Sequence, residues 1–141
     1  MIREISIRIE NEPGRIHTVA RSLGDEGINI AALSVADGET TGLLRLVVSD
    51  VVRARTALMQ LQLPATIGEV LAVAAPDTPG GLAGVLGPLE SAHLDVRYLY
   101  AFRRPGTETA VVVLHTEDNA RAAILMKESG FELVDEDALH G

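Results

Sequence analysis

Cysteine is absent from this 141-residue chain. That excludes disulfides, thiolate nucleophiles and cysteine-held zinc or iron–sulfur centres, and leaves any metal to the histidines. His17, His93, His115 and His140 are scattered, with no pair three or four residues apart on one helix face, so packing or solvent-side roles are expected and no metal or cofactor is implied. Basic residues are few: Lys and Arg number 12 against 20 Asp and Glu, a net charge of −8. Such a chain works against polyanion binding, which is driven by cations that release condensed counterions, so nucleic acid is not an expected partner. Long apolar runs are missing as well. No stretch approaches the roughly 20 residues that span a bilayer. Met1-Ile2-Arg3-Glu4 leads straight into strand-like alternation without the apolar core of a signal peptide. The expectation is a cytoplasmic protein that meets no membrane. No serine stands in a nucleophile-elbow context. Gly80-Gly81 with Gly84 and Gly87 is not followed by the Gly-Lys-Ser/Thr of a phosphate loop. The acidic residues Glu132, Asp135, Glu136 and Asp137 crowd an expected edge strand and tail, where a solvated face is the reading. Nothing resembles an active site.

What the chain does contain is a repeat. Glu10-Asn11-Glu12-Pro13-Gly14-Arg15-Ile16 returns as Pro76-Asp77-Thr78-Pro79-Gly80-Gly81-Leu82, with Asp77 standing 66 positions after Asn11. At the same shift Ile28-Asn29-Ile30 falls on Leu94-Asp95-Val96, and residues 44–48 fall on 110–114. The expected domains are therefore 1–68 and 69–141. Each is near the lower size limit for independent folding, so the halves should lean on each other. Hydrophobic residues make up 47% of the chain and charged residues 23%, which suffices for packed cores.

Ile5, Ile7 and Ile9 alternate with polar residues, a period of two that predicts a strand with one buried face. Ile16, Val19, Ala20 and Leu23 follow at helical spacing, in a helix entered at Pro13 and ended near Gly24 or Gly27. Strands over 28–37 and 41–49, a helix from Asp50 to about residue 61 and a short strand over 65–68 complete a βαββαβ unit. The second copy predicts strand 70–75, a helix from Pro79, strands 94–102 and 107–115, helix 117–129 and strand 131–134. The last strand of copy one and the first of copy two share residues 65–75, either as one long bent strand or as a strand exchanged between domains. The fold class is α+β, two ferredoxin-like plaits with helices on one face of antiparallel sheets.

Strand side chains alternate, so if Leu99 faces the helices, Tyr98, Tyr100 and Phe102 point together to the open face, beside Ala72, Ala74, Val111 and Val113. Copy one offers small or polar residues there, with Ser6, Arg8, Ala32, Ser34, Ala36, Arg45 and Val47. A contiguous apolar face is rarely left in water. Two covers are open: the same face of a second molecule in a two-fold dimer, with Tyr98, Tyr100, Phe102, Val111 and Val113 as its interface, or the shelf of Ala32, Ser34 and Ala36. An RNA-binding plait would also use sheet aromatics, but only Arg97, Arg103 and Arg104 accompany them and the chain is acidic.

The Asn11-Glu12-Pro13-Gly14-Arg15-Ile16 and Gly27-Ile28-Asn29-Ile30 segments, inside a doubled βαββαβ frame, resemble the ACT domain family, and the whole chain resembles a stand-alone pair of such domains. The resemblance implies a regulatory module without catalysis or cofactor, binding an amino acid at interfaces between ACT domains and signalling to a separate metabolic enzyme. It implies ligand contacts from Asn11, Glu12, Gly14, Arg15, Ile16, Asn29 and Ile30 in copy one. In copy two the matching positions are Asp77, Thr78, Gly80, Gly81, Leu82, Asp95 and Val96. Independently of the family, Pro-Gly opening a helix leaves backbone N–H groups that can seat a carboxylate, although the same dipeptide is ordinary capping chemistry. Asn29 can both donate and accept, whereas ionised Asp95 only accepts. Asp77 and Asp95 together would favour a cationic group, so copy one is expected to supply the better amino acid site. If the pocket straddles the copies, Asp95 could take the ammonium while Asn11 and backbone N–H groups take the carboxylate. Copy one is also similar to the ACT segment of the small regulatory subunit of acetolactate synthase, which implies an alternative role through protein contact; copy two is not.

Overall fold

The structure is a computed structural model that describes residues 1–104 and 106–140. The expectation placed on the His140 side chain, and the inclusion of Pro105 and Gly141 in the second domain, lie outside the described residues. The elements are β1 (Ile2–Glu10), α1 (Arg15–Asp25), β2 (Ile30–Ala36), β3 (Thr41–Val48), α2 (Val51–Gln60), β4 (Ala65–Pro76), α3 (Gly81–Ser91), β5 (Val96–Arg103), β6 (Thr109–Thr116), α4 (Asn119–Glu128) and α5 (Glu136–His140). The chain is α+β and runs through the ferredoxin-like pattern twice. It forms two compact units, Arg3–Glu69 and Val70–Leu139 with Met1–Ile2. The stretch shared by the two copies is one uninterrupted strand, β4.

In the first unit β3 pairs antiparallel with both β1 and β2, with Ile5 opposite Leu46, Ile7 opposite Leu44 and Leu33 opposite Leu46. Alternation then puts Ile5, Ile7, Ile9, Leu44 and Leu46 on the helix side, where they join Val19, Leu23, Ala54 and Leu58 in one buried cluster. Asp50 caps α2 by accepting from the Arg53 N–H at 3.0 Å. The second unit repeats the plan: β6 pairs with β4 and β5, and Leu71, Val73, Val112 and Leu114 close on Val85, Leu89, Ala122 and Met126. Asp118 caps α4 in the same way through the Arg121 N–H at 3.1 Å.

Two expectations need correction. The strand predicted over 131–134 is a single bridge, Val73 opposite Leu133, flanked by Ala74 N–H to the Glu132 carbonyl at 3.0 Å and Val134 N–H to the Ala72 carbonyl at 2.7 Å. Beyond it the chain turns into α5, with the Asp135 carboxylate accepting from the Ala138 N–H at 2.8 Å. The second correction concerns the repeat. Ile5 and Ile7 match Leu71 and Val73 at a shift of 66, but their partners Leu46 and Leu44 match Leu114 and Val112 at a shift of 68. The β5–β6 hairpin is two residues longer than the β2–β3 hairpin, so residues 44–48 correspond to 112–116. A slip of two preserves the face to which each side chain points, which is why the predicted core and open faces survive it.

Helices α1 to α4 end alike. The N–H groups of Ile28, Leu63, Leu94 and Phe131 reach back five residues to the carbonyls of Leu23, Leu58, Leu89 and Met126 at 2.9 to 3.0 Å. Each closure needs a left-handed residue just before it: Gly27 (φ 72°), Gln62 (φ 59°), His93 (φ 55°) and Gly130 (φ 86°). Each non-glycine has glycine as its counterpart in the other copy. A side chain in this region costs about 1–2 kcal/mol, partly offset by the lower entropy of the unfolded chain without glycine. His93→Gly is therefore expected to stabilise the protein by about 1 kcal/mol, checked by the urea midpoint. No gain would mean that the His93 side chain makes compensating contacts.

Candidate functional site

The β1–α1 and β4–α3 turns are built alike. Gly14 (φ 88°) and Gly80 (φ 85°) are the left-handed residues just before α1 and α3, so these helices begin at Arg15 and Gly81, two residues later than the expected Pro13 and Pro79. Their carbonyls accept from the N–H groups of Thr18 at 2.9 Å and Gly84 at 3.0 Å. The first helical N–H is not free for a ligand in either copy: Arg15 N–H donates to the Glu12 carbonyl at 3.4 Å, and Gly81 N–H to the Thr78 carbonyl at 2.9 Å. Any carboxylate seat here begins at the next donors. Arg15 pairs with Glu10 at 3.2 Å and Glu12 at 3.6 Å. Ile16 and Leu82, which occupy the following position, are 40% and 44% exposed. Exposed branched side chains at the same place in both copies offer an apolar contact beside each turn.

Asn11 ties its turn to the β2–β3 hairpin: its amide donates to the Gly38 carbonyl at 2.6 Å and its N–H to the Thr40 carbonyl at 3.2 Å. Asp77 keeps the second of these bonds, to the Glu108 carbonyl at 3.1 Å, and turns its carboxylate to Arg103 at 3.2 Å. At the other candidate position, Asn29 N–H donates to the Ser49 hydroxyl and Ser49 N–H to the Asn29 carbonyl, both at 2.9 Å. The exposed side-chain amide of Asn29 has no hydrogen-bond partner among the described residues. Asp95 repeats the backbone pairing with Glu117, each bond 3.0 Å, while its carboxylate meets Arg97 at 3.4 Å. Both copy-two carboxylates thus carry an arginine partner, which removes the unbalanced negative pocket that their residue types suggested. Ile30 and Val96 are half-buried and pack on their own cores. Thr78 and Glu12 are exposed in the turns.

Within one unit the two groups are far apart. Asn11 lies beside Thr40 and Thr41, where β3 begins, and Asn29 lies beside Val48 and Ser49, where it ends. An eight-residue strand puts roughly 23 Å between them at about 3.3 Å per residue. Asp77 and Asp95 flank β6 in the same manner.

On the open face of the second unit, Tyr98, Tyr100 and Phe102 are half-buried, while Val111 and Val113 have no exposed surface in the single chain. Tyr98 also stacks obliquely on His115, with ring centroids 5.1 Å apart. His17 lines a hollow of about 370 Å³ on the helix side of the first unit, with Arg21, Asp25 and Leu61. Ser49 and Glu117, which anchor the two strand entries, escaped the sequence reading, as did Arg53 and Arg121. Arg53 donates to the Glu26 carbonyl and Arg121 to the Ala92 carbonyl, at the C-termini of α1 and α3. A cation there complements the helix dipole. The signal was present: Asp50 and Arg53 recur as Asp118 and Arg121 at the shift of 68.

A doubled ferredoxin-like plait with a glycine-opened helix after the first strand of each copy defines a paired α+β domain. The chain belongs to the ACT domain pair family, whose model matches residues 1–141. A protein from Bacteroides thetaiotaomicron is 32% identical, with 99% of this chain and 95% of that one covered and a TM-score of 0.90. The regulatory subunit of aspartate kinase from Thermus thermophilus has the same fold at 15% identity, covering 91% of this chain and 92% of that one, with a TM-score of 0.66. Its counterpart from Thermus flavus scores 0.61 at 16% identity, over 90% and 91% of the two chains. No curated protein matches. No helix among the described residues is long and apolar enough to cross a membrane.

Proposed function

We propose that this chain is a non-catalytic cytoplasmic regulator, with ACT domains at 1–68 and 69–141, that binds a small amino acid and passes the signal to a separate metabolic enzyme. The observation that carries the reading is the exposed, unpartnered amide of Asn29, whose backbone is clamped by Ser49. The backbone clamp fixes where the side chain is anchored and leaves its amide available to a zwitterion, since an amide can receive from an ammonium and donate to a carboxylate. Because the turn at Gly14 and the strand entry at Asn29 stand at opposite ends of β3, a pocket using both kinds of group draws them from two different ACT domains. Ligand would then favour one arrangement of domains over another, which requires unequal affinity for the two. The half-buried row of Tyr98, Tyr100 and Phe102 supports a dimer contact, to which Val111 and Val113 offer no free surface. Copy one remains the better candidate site, because Asn29 is free whereas Asp95 is paired with Arg97.

A thermal-shift screen against the twenty amino acids tests this, because a ligand that binds only the folded state raises Tm. The expected outcome is a rise with one or a few related amino acids that disappears in Asn29→Ala. The exposure of Leu33 and Val35, 45% each on β2, favours a second reading, a subunit acting mainly by protein contact. A flat screen together with co-purification of a large enzyme selects that reading. The Thermus proteins, regulatory subunits by description, have the same fold.

A further inference from the structure

In the first unit, the end of β1, the start of α1 and the α2–β4 connection enclose a groove of about 340 Å³. That is within the range of small-ligand sites, about 300–1,000 Å³. Its polar lining comes from Arg8, Glu10, Arg15, Thr41 and Gln62, and Leu61 and Leu63 form its apolar wall. Arg15 is committed to Glu10 and Glu12. Arg8 is exposed and makes no ion pair or hydrogen bond among the described residues. Arg8 is thus the groove's cation without a carboxylate partner among the described residues, on a chain whose net charge is −8. Arg8 projects from a paired strand, opposite Leu43, so its guanidinium fork is offered from a rigid base. That fork matches the two oxygens of a carboxylate.

Gln62 is the second observation. It holds the left-handed position that closes α2, with φ 59°, where the other copy has Gly130. Gln62 lines the groove, and its amide can donate to a carboxylate. The second unit has none of these groups. At the positions of Arg8, Glu10, Arg15 and Gln62 it carries Ala74, Pro76, Gly81 and Gly130.

The geometry points to a carboxylate site in this groove, one per chain, in which Arg8 and the Gln62 amide hold the carboxylate of a small organic acid and Glu10 faces its amino group where one is present. The site uses neither Asn29 nor a second ACT domain, so it stands or falls separately from the sensor reading above.

The test is an NMR titration of the full ¹⁵N-labelled chain with sodium propionate, L-alanine and L-alaninamide, following the Arg8 Nε–H and the Gln62 side-chain amide. Propionate and L-alanine are expected to give saturable shifts at both groups, and L-alaninamide, which lacks the carboxylate, none. Arg8→Gln should weaken binding on the order of tenfold or more, the scale of one charge-assisted hydrogen bond, while Met59→Ala, on the exposed face of α2, leaves it unchanged. Gln62→Gly should raise the urea midpoint yet weaken binding, a split that a purely structural glutamine would not produce. The proposal is overturned by equal shifts with L-alaninamide, by shifts that survive Arg8→Gln, or by no saturable shift at Arg8 and Gln62 with either acid. Shifts at Asn29 alone overturn the groove and leave the sensor standing. Shifts at Arg8 and Gln62 alone support the groove and leave the Asn29 site to the thermal-shift screen.

Discussion

Gly81→Ala is expected to destabilise the protein by about 3 kcal/mol, at the upper end of overpacking penalties. Gly81 is buried at the first position of α3, and a Cβ placed there would sit 2.0 Å from the Pro76 carbonyl oxygen and 3.2 Å from the carbonyl carbon. No side-chain rotation relieves that contact, because the obstacle is backbone. Nor is the carbonyl free to swing away: Pro76 is paired with Thr109 at the end of β4, and Asp77 N–H is bonded to the Glu108 carbonyl at 3.1 Å. The turn must deform, or the start of α3 must lift from β4. The internal control is Arg15, which occupies the same place in the first copy and already carries a side chain, so Arg15→Ala should cost far less. Urea unfolding of both variants checks the pair. A loss below about 1 kcal/mol for Gly81→Ala would mean that the β4–α3 turn relaxes more readily than its bonds imply.

Leu58→Ala is expected to cost about 3 kcal/mol, within the 2–5 kcal/mol range for emptying a core leucine site. Leu58 has no exposed surface and sits on α2 in the cluster with Ile5, Ile7, Leu44 and Leu46. Its backbone carbonyl accepts from both Leu61 and Leu63, so the helix end is held in place and cannot easily collapse into the space left by the side chain. A cavity that cannot shrink keeps its full penalty. Met59, the next residue, is 63% exposed, and Met59→Ala should change stability by less than about 0.5 kcal/mol. Hydrogen exchange should show the loss of protection in β1 and β3, which line the cavity. Equal effects from the two substitutions would contradict the assignment of α2's buried face.

Much of this was legible from local pattern. The alternation of Ile5, Ile7 and Ile9, the helical spacing of Val19 and Leu23, and Asp50 ahead of an apolar stripe each encode their element within a few residues, so strand, helix and cap could be read directly. The repeat gave the doubled topology. The candidate site was less legible. Asn11 and Asn29 were grouped by resemblance, yet the antiparallel course of β3 sets them at opposite ends of one unit. Asp77 and Asp95 looked like a negative pocket, and their charges are balanced by Arg103 and Arg97. The groove at Arg8 went unseen because its walls come from residues about fifty positions apart.

The amino-acid sequence by itself determined which faces are apolar, the order of helices and strands and that the plan runs twice, because periodicity, turn chemistry and internal similarity are properties of neighbouring residues. Only the tertiary structure decided the two-residue offset of the second hairpin, the reduction of the last strand to one bridge, the left-handed backbone at Gln62 and His93, and which charges meet. Those depend on strand register and on the closing of one segment against a distant one, where a side chain's role is set by partners that its own stretch of sequence does not name.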